Sequence, residues 1–521
     1  MKKNPLGPQP PAGEGPRVSR EKVLVVIPYG MCFRNVVLNR VFWRFLTSRY
    51  EVGVWTPLNL KDPERLGIAR VQDYHRAFRS PWRWVNQRLW RSLIAGMRYM
   101  RELDFYFYTG LPHIVNFKYL RMLRSNRERR RYFLWHWIGY GPAGAIAERI
   151  LEWLEATGAV KAALRDVGYK CVVLTHTSEE SCVHVGRVAG QLGIPVVAIP
   201  LGLDNLSHHG PLLFRPDLVL ACGPEQEREF RELQAAFNPH LQTTKCKPVG
   251  CLVFDRYLEA QPGKDLLEKR YGIGEHERVI LFATSIEGHH KGHLRQCESI
   301  LDEIRLSGGD LRLVVRVRPG LDEEMWMGLA KRHPKVVLQI PSGSTYDKSS
   351  RRDQIDEATE LADLNEFVAT LRRASLVITA GFSSVYLDAA LFGTPATVVG
   401  YNDLEVLRHC ALRLYLTYSL VRYPSWREYN VVFDDAELRS VVHHLVEVGK
   451  AHDRLPTTML AEKVLAPDGQ AGRRAADAMK AFFGETSAVP VEAGGLVFDH
   501  AGAPSGGHAP PSERHVGRGL L

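Results

Sequence analysis

The stretch Ala380 to Pro395 carries the most chemically suggestive spacing in the chain. It lies between two apolar runs, Leu376–Thr379 and Ala396–Val399, and reads as strand, small-residue turn, helix, Gly-Thr-Pro break, strand. Gly381 frees the turn, and Ser383 and Ser384 stand where the helix begins. Unpaired backbone N–H groups and the positive dipole end at such a place suit a phosphate. Asp388 falls one turn further on, within reach of a ribose hydroxyl. The same residues also suit an ordinary strand–helix crossover with a small-residue cap, in which Asp388 is a capping or dipole-facing carboxylate.

Three further groups could serve the same chemistry. Arg316 and Arg318 end the apolar run Leu311–Val317, where two fixed cations could hold a diphosphate leaving group without a metal. The chain has no Asp-x-Asp motif to argue for one. A loop running from Ser285 through His289, His290 and His293 follows the run Val279–Ala283. It reads as a phosphate-facing loop, as a histidine-rich zinc site short of a fourth ligand, or as a solvated loop entering a helix. For a proton acceptor, His176 follows Cys171–Leu174 and Asp204 follows Val196–Ile199, both at strand ends. His176 could equally be a loop residue bonded to backbone, and Asp204 could form an Asx-turn with Asn205.

The elements that must hold these residues alternate. Mostly apolar runs of four to seven residues, as in strands buried on both faces, are separated by helical patterns. The order is Val23–Ile27, Glu51–Trp55, Cys171–Leu174, Val196–Ile199 and Leu218–Ala221, then a linker near Pro248–Pro262. The second series is Val279–Ala283, Leu311–Val317, Val336–Ile340, Leu376–Thr379 and Ala396–Val399. This predicts an α/β protein with two doubly wound domains, 21–250 and 258–465, facing a cleft. An amphipathic helix within 466–485 follows. Residues 1–20 and 486–521, rich in Gly and Pro, read as a disordered leader and tail. Segment 60–155 breaks the rhythm and reads as a helical insertion rich in Arg, Trp and Tyr. Such a segment suits an anionic membrane interface or ordinary helix packing with solvated arginines. Nucleic acid is disfavoured, because no recognition motif accompanies it.

The chain has 521 residues, 45% hydrophobic and 24% charged, with a net charge of +10. That excess favours anionic partners without choosing among them. The eight cysteines are scattered and form no C-x-x-C pair, which predicts buried thiols in a reducing compartment. With no signal-peptide pattern and no run of ~20 apolar residues, the expectation is a cytoplasmic protein, peripheral at most on the inner face of the membrane.

Several pieces fall in an order that resembles a known group. They are Gly202–Ser207, Phe214-Arg215-Pro216-Asp217, Gly223-Pro224-Glu225, Val249–Tyr257, Ile280–Ser285, Val315–Pro319, the Ala380–Pro395 stretch, and Pro467-Asp468-Gly469-Gln470. Together they resemble the GT-B glycosyltransferases of bacterial surface polysaccharides, including CDP-glycerol glycerophosphotransferases and capsule Kdo transferases. The layout is also similar to that of UDP-N-acetylglucosamine 2-epimerases. The likeness covers roughly 165–485, fits the start more loosely, and omits 60–155. It implies a nucleotide-sugar donor and a glycan or lipid-linked acceptor, with no cofactor. It also implies a ribose contact at Asp388 and acceptor contacts near Arg34 and Asn35. The group often carries His-Pro where this chain has Arg318-Pro319. Arginine can bind phosphate but cannot act as a base. Where relatives often have Trp-Asp-Asn, this chain has Leu203-Asp204-Asn205, which keeps the acid and loses the stacking ring.

Overall fold

The structure is a computed structural model that describes residues 20–74, 157–203, 205–207, 211–284, 290–306, 310–318, 323–341, 354–381, 383–400, 430–449 and 457–484. Residues 1–19 of the expected leader, the expected tail, and residues 75–155 of the expected insertion lie outside the described residues.

The first sheet contains β1 (Lys22–Val26), β2 (Glu51–Trp55), β4 (Ile68–Gln72), β5 (Tyr169–Leu174), β6 (Val196–Ala198), β7 (Leu218–Ala221) and β8 (Lys245–Pro248). Their spatial order is β4-β2-β1-β5-β6-β7-β8, and every pairing is parallel. The second sheet contains β9 (Arg278–Ala283), β10 (Leu311–Arg316), β11 (Val336–Gln339), β13 (Ala374–Thr379), β14 (Ala396–Val399) and β15 (Val431–Val432). Its order is β11-β10-β9-β13-β14-β15, again parallel throughout.

The apolar strands follow from burial on both faces. Along β1, Val23 and Val25 enter one core while Leu24 and Val26 enter another. Along β9, Val279 and Leu281 face one core, Ile280 and Phe282 the other. Side chains alternate across a strand, so a strand covered by helices on both sides has no polar face to show.

Two segments differ from expectation. Residues 68–72, within the segment read as helical, form an edge strand paired with β2. Only Ile68 of this strand is buried, as suits the exposed edge of a sheet. The expected linker near Pro248–Pro262 holds the helix Leu252–Glu259, whose Phe254 and Tyr257 are buried in the second domain's core.

The chain crosses between domains twice more. Its last described helix, Ala471–Phe482, packs back on the first domain, burying Ala471, Ala475, Ala476 and Met479 there. Asp255 fastens the start of that helix, accepting from the Ala471 and Gly472 N–H groups at 3.0 and 2.7 Å. Asn39 donates to the same carboxylate at 3.0 Å. Gly472 must be glycine, since a Cβ there would lie 2.1 Å from Asn39 Oδ1. The second domain in turn lends β12 (Gln354–Ile355), which pairs with β3 (Asn59–Leu60) of the first.

Candidate functional site

Each sheet reverses its winding at one place, between β1 and β5 in the first and between β9 and β13 in the second. Helices leave on opposite sides there, opening a crevice beyond the carboxyl ends of the strands. The helix after β1, the end of β10 and the helix after β13 carry Arg34, Arg316 and Asp388, whose charges all act on the buried Tyr257.

Arg34 lies in the helix Gly30–Val36, directly after β1. Its guanidinium spans to the other domain, where Nε and Nη2 donate to Glu360 Oε2 at 3.0 and 2.9 Å. Nη2 also donates to Asp363 Oδ2 at 2.7 Å. Arg316 ends β10 and donates through Nη2 to both oxygens of Asp363 at 3.0 Å. Asp363 thus takes hydrogen bonds from an arginine of each domain. The Arg316 guanidinium lies over the Phe367 ring, 4.4 Å from its centroid. Glu360, Asp363 and Phe367 sit at i, i+3 and i+7 on the helix Glu357–Arg373, so one face presents all three.

Burial raises the Glu360 carboxyl, against the pull of Arg34. Burial also pushes Asp363 up, but Arg316 and Arg34 together outweigh it and hold that carboxyl below its ordinary range. Desolvation works against the charge on Arg34, and Asp363 and Glu360 more than restore it. Asp388 is 5% exposed, on the first turn of the helix Val385–Leu391. Burial lifts its carboxyl to about 8, with Arg316 as the opposing charge. Arg316 Nη1 and Glu360 Oε1 are buried without a hydrogen-bond partner among the described residues. Such orphaned polar atoms are costly and call for a ligand or water.

The other expected residues take different positions. Gly381 has φ +92°, a left-handed backbone that a β-carbon would strain. Ser383 Oγ accepts from the Val385 N–H at 3.3 Å, and Ser384, at the helix boundary, makes no side-chain cap. The Arg318 N–H donates to Thr284 Oγ1 at 2.8 Å, tying β10's exit to β9's. Asn35 lines a cavity of about 10 Å³ with Thr175, Leu201, Cys222, Gly250 and Cys251, room for about one water. Asp204, Ser285 and His289 lie outside the described residues.

His176 is buried at the end of β5, with its ring edge-on to Tyr29 at 5.6 Å. Its Nδ1 accepts from the backbone N–H groups of Ser178 and Glu179, both at 3.1 Å. Two backbone donors therefore share the Nδ1 lone pair. In this arrangement His176 ties the turn into the helix Glu180–Gln191. Arg34, expected near the acceptor, bonds Glu360 and Asp363.

Sequence reasoning missed Glu360 and Asp363. Their spacing with Phe367 on one helix was visible. Their partners, however, come from strand ends and a helix of two domains.

No family model matches this sequence, and no curated protein does either. Among solved structures, it is similar to a Listeria monocytogenes protein described as a UDP-N-acetylglucosamine 2-epimerase. The identity is 14% and the TM-score 0.50, over 90% of this chain and 98% of that one. S. aureus MnaA, solved with UDP, aligns at 11% identity and a TM-score of 0.48, over 90% and 99% of the two chains. The calicheamicin glycosyltransferase CalG4 aligns at 12% and 0.44, over 90% and 100%. At such identities the likeness is one of fold, and with two facing parallel sheets and a cluster at their switch points, the chain has the two-domain GT-B architecture.

Proposed function

We propose that this protein is a GT-B transferase that moves a sugar from a nucleotide-activated donor to a glycan or lipid-linked acceptor. The observation that carries the reading is the placement of Arg316, at the end of β10, where its charge acts on Asp388 in the helix after β13. It sets a guanidinium with an unpartnered buried N–H beside a buried carboxyl. A nucleoside diphosphate offers what both lack: phosphate oxygens for Arg316 Nη1 and ribose hydroxyls for Asp388. Backbone N–H groups at the Ser383–Ser384 turn, and Arg318, add phosphate contacts in this reading. Ser285 and His289, in the segment after β9, would be further donor contacts in this reading. With the His176 Nδ1 lone pair taken, Asp204 is the candidate base, and Asn35 meets the acceptor from the first domain.

The test is to titrate UDP-, CDP- and GDP-linked sugars into the purified protein by calorimetry, then repeat with Asp388→Ala and Arg316→Met. Binding of at least one donor, lost in both variants, supports the assignment. Absence of any nucleotide binding by the wild type refutes it. Incubating UDP-N-acetylglucosamine alone separates transfer from epimerisation, since a 2-epimer forming without an acceptor would displace the transferase reading.

A further inference from the structure

We propose that Arg34 is an interdomain clamp and a positioning residue. By bridging Glu360 and Asp363 it fixes the helix Glu357–Arg373 against the first domain, and through Asp363 it sets the Arg316 guanidinium. The positioning half rests on the donor reading above; the clamp half does not.

Four observations converge on this helix. Arg34 reaches it with three hydrogen bonds of 2.7–3.0 Å, from a side chain only 11% exposed, to carboxylates 0% and 3% exposed. The residues just before it form β12, and the Lys61 N–H donates to Ile355 O at 2.9 Å. Ile355 is buried in the first domain's core, and Leu361 packs against that core. The rest of the helix belongs to the second domain, where Leu364, Phe367, Val368 and Leu371 are buried. One helix is therefore shared between the two bodies, and the ion pairs sit where it crosses.

Asp363 links the clamp to the site. Its Oδ2 accepts from Arg34 and Arg316 alike, so a shift of Arg34 moves the carboxylate that orients Arg316. Phe367, one turn further along the same face, fixes the plane of that guanidinium. With Nη2 held by Asp363 and the ring beneath, Nη1 has one orientation. A fixed donor contributes more to binding an anion than one that must be ordered on arrival.

The experiment uses the full chain with Arg34→Met and the milder Glu360→Gln, which keeps volume and an acceptor. The control is Arg40→Met, at an exposed pair with Glu357. Hydrogen exchange of the ligand-free proteins is read over 354–363 and 59–61, and affinities are measured for UDP and uridine. Faster exchange in those segments for Arg34→Met and Glu360→Gln, but not for Arg40→Met, is expected. The advantage of UDP over uridine should fall about tenfold in Arg34→Met, as one charge-assisted hydrogen bond loses its orientation. Unchanged exchange in both variants overturns the clamp, whether or not nucleotide binds. Loosened exchange with an unchanged UDP-to-uridine ratio overturns the positioning role alone. A wild type that binds neither compound refutes positioning and the donor reading together, while exchange still decides the clamp.

Discussion

Replacing Asp388 by Asn should stabilise the protein, and increasingly so as the pH rises. The folded carboxyl titrates at about 8 against an ordinary 3.8, because burial disfavours its charge and Arg316 only partly compensates. At neutral pH the unfolded chain carries this carboxyl ionised, so folding must take up a proton. Each unit between the unfolded pKa and the ambient pH costs about 1.4 kcal/mol until the folded pKa is reached, or about 4 kcal/mol at pH 7. The sign follows from proton counting. The native state binds more protons than the unfolded state between about pH 4 and pH 8, so this group's contribution falls through that window and then levels off. A neutral amide of the same shape escapes that penalty, less the cost of satisfying its NH2 group. Urea unfolding of wild type and Asp388→Asn should show a gap of under about 2 kcal/mol at pH 5, widening to about 5 kcal/mol at pH 8. Donor binding should fall in the same variant, the usual exchange of function for stability at a site. A gap that stays constant with pH, or a variant less stable than wild type at the alkaline end, would refute the reasoning.

Three other outcomes follow from the same geometry. Arg34→Met leaves Asp363 to Arg316 and takes from buried Glu360 the arginine it bonds, and should cost about 3–5 kcal/mol in denaturant unfolding. Gly381→Ala forces a β-carbon onto a residue with φ +92°, a loss of about 1–2 kcal/mol in thermal or urea unfolding, with weakened donor binding as the turn shifts. Asp255→Ala strips the cap from the helix Ala471–Phe482. It should cost about 1–3 kcal/mol and make that helix the first site of limited proteolysis.

Much of the fold was legible because burial writes itself into composition. A strand covered on both faces must be apolar at every position, so Val23–Ile27 and Val279–Ala283 announce parallel sheets. The short edge strands β8 and β15 were missed for the same reason: Lys245-Cys246-Lys247-Pro248 has polar residues facing out, and two residues make no pattern. Helix Leu252–Glu259 was hidden by the prolines and glycines flanking it. At the site, Arg34, Arg316 and Asp388 were selected as residues at strand ends, and they do come together. What each one touches was not legible. Asp388 was expected as a ribose contact, and nothing in the sequence signalled that burial would raise its carboxyl. Arg34 was expected at the acceptor, and it bonds across to the other domain.

The sequence by itself determined the alternation of strand and helix, the two-domain division and the strand ends where polar residues gather. These depend on local periodicity and on turns a few residues long. The tertiary structure decided which charges pair. Arg34 meets Glu360 across 326 positions of chain, a contact set by how one sheet's carboxyl ends face the other's. Protonation was decided there too, because a carboxyl's pKa depends on the water it loses and the charges it faces, and neither is a property of its neighbours in sequence.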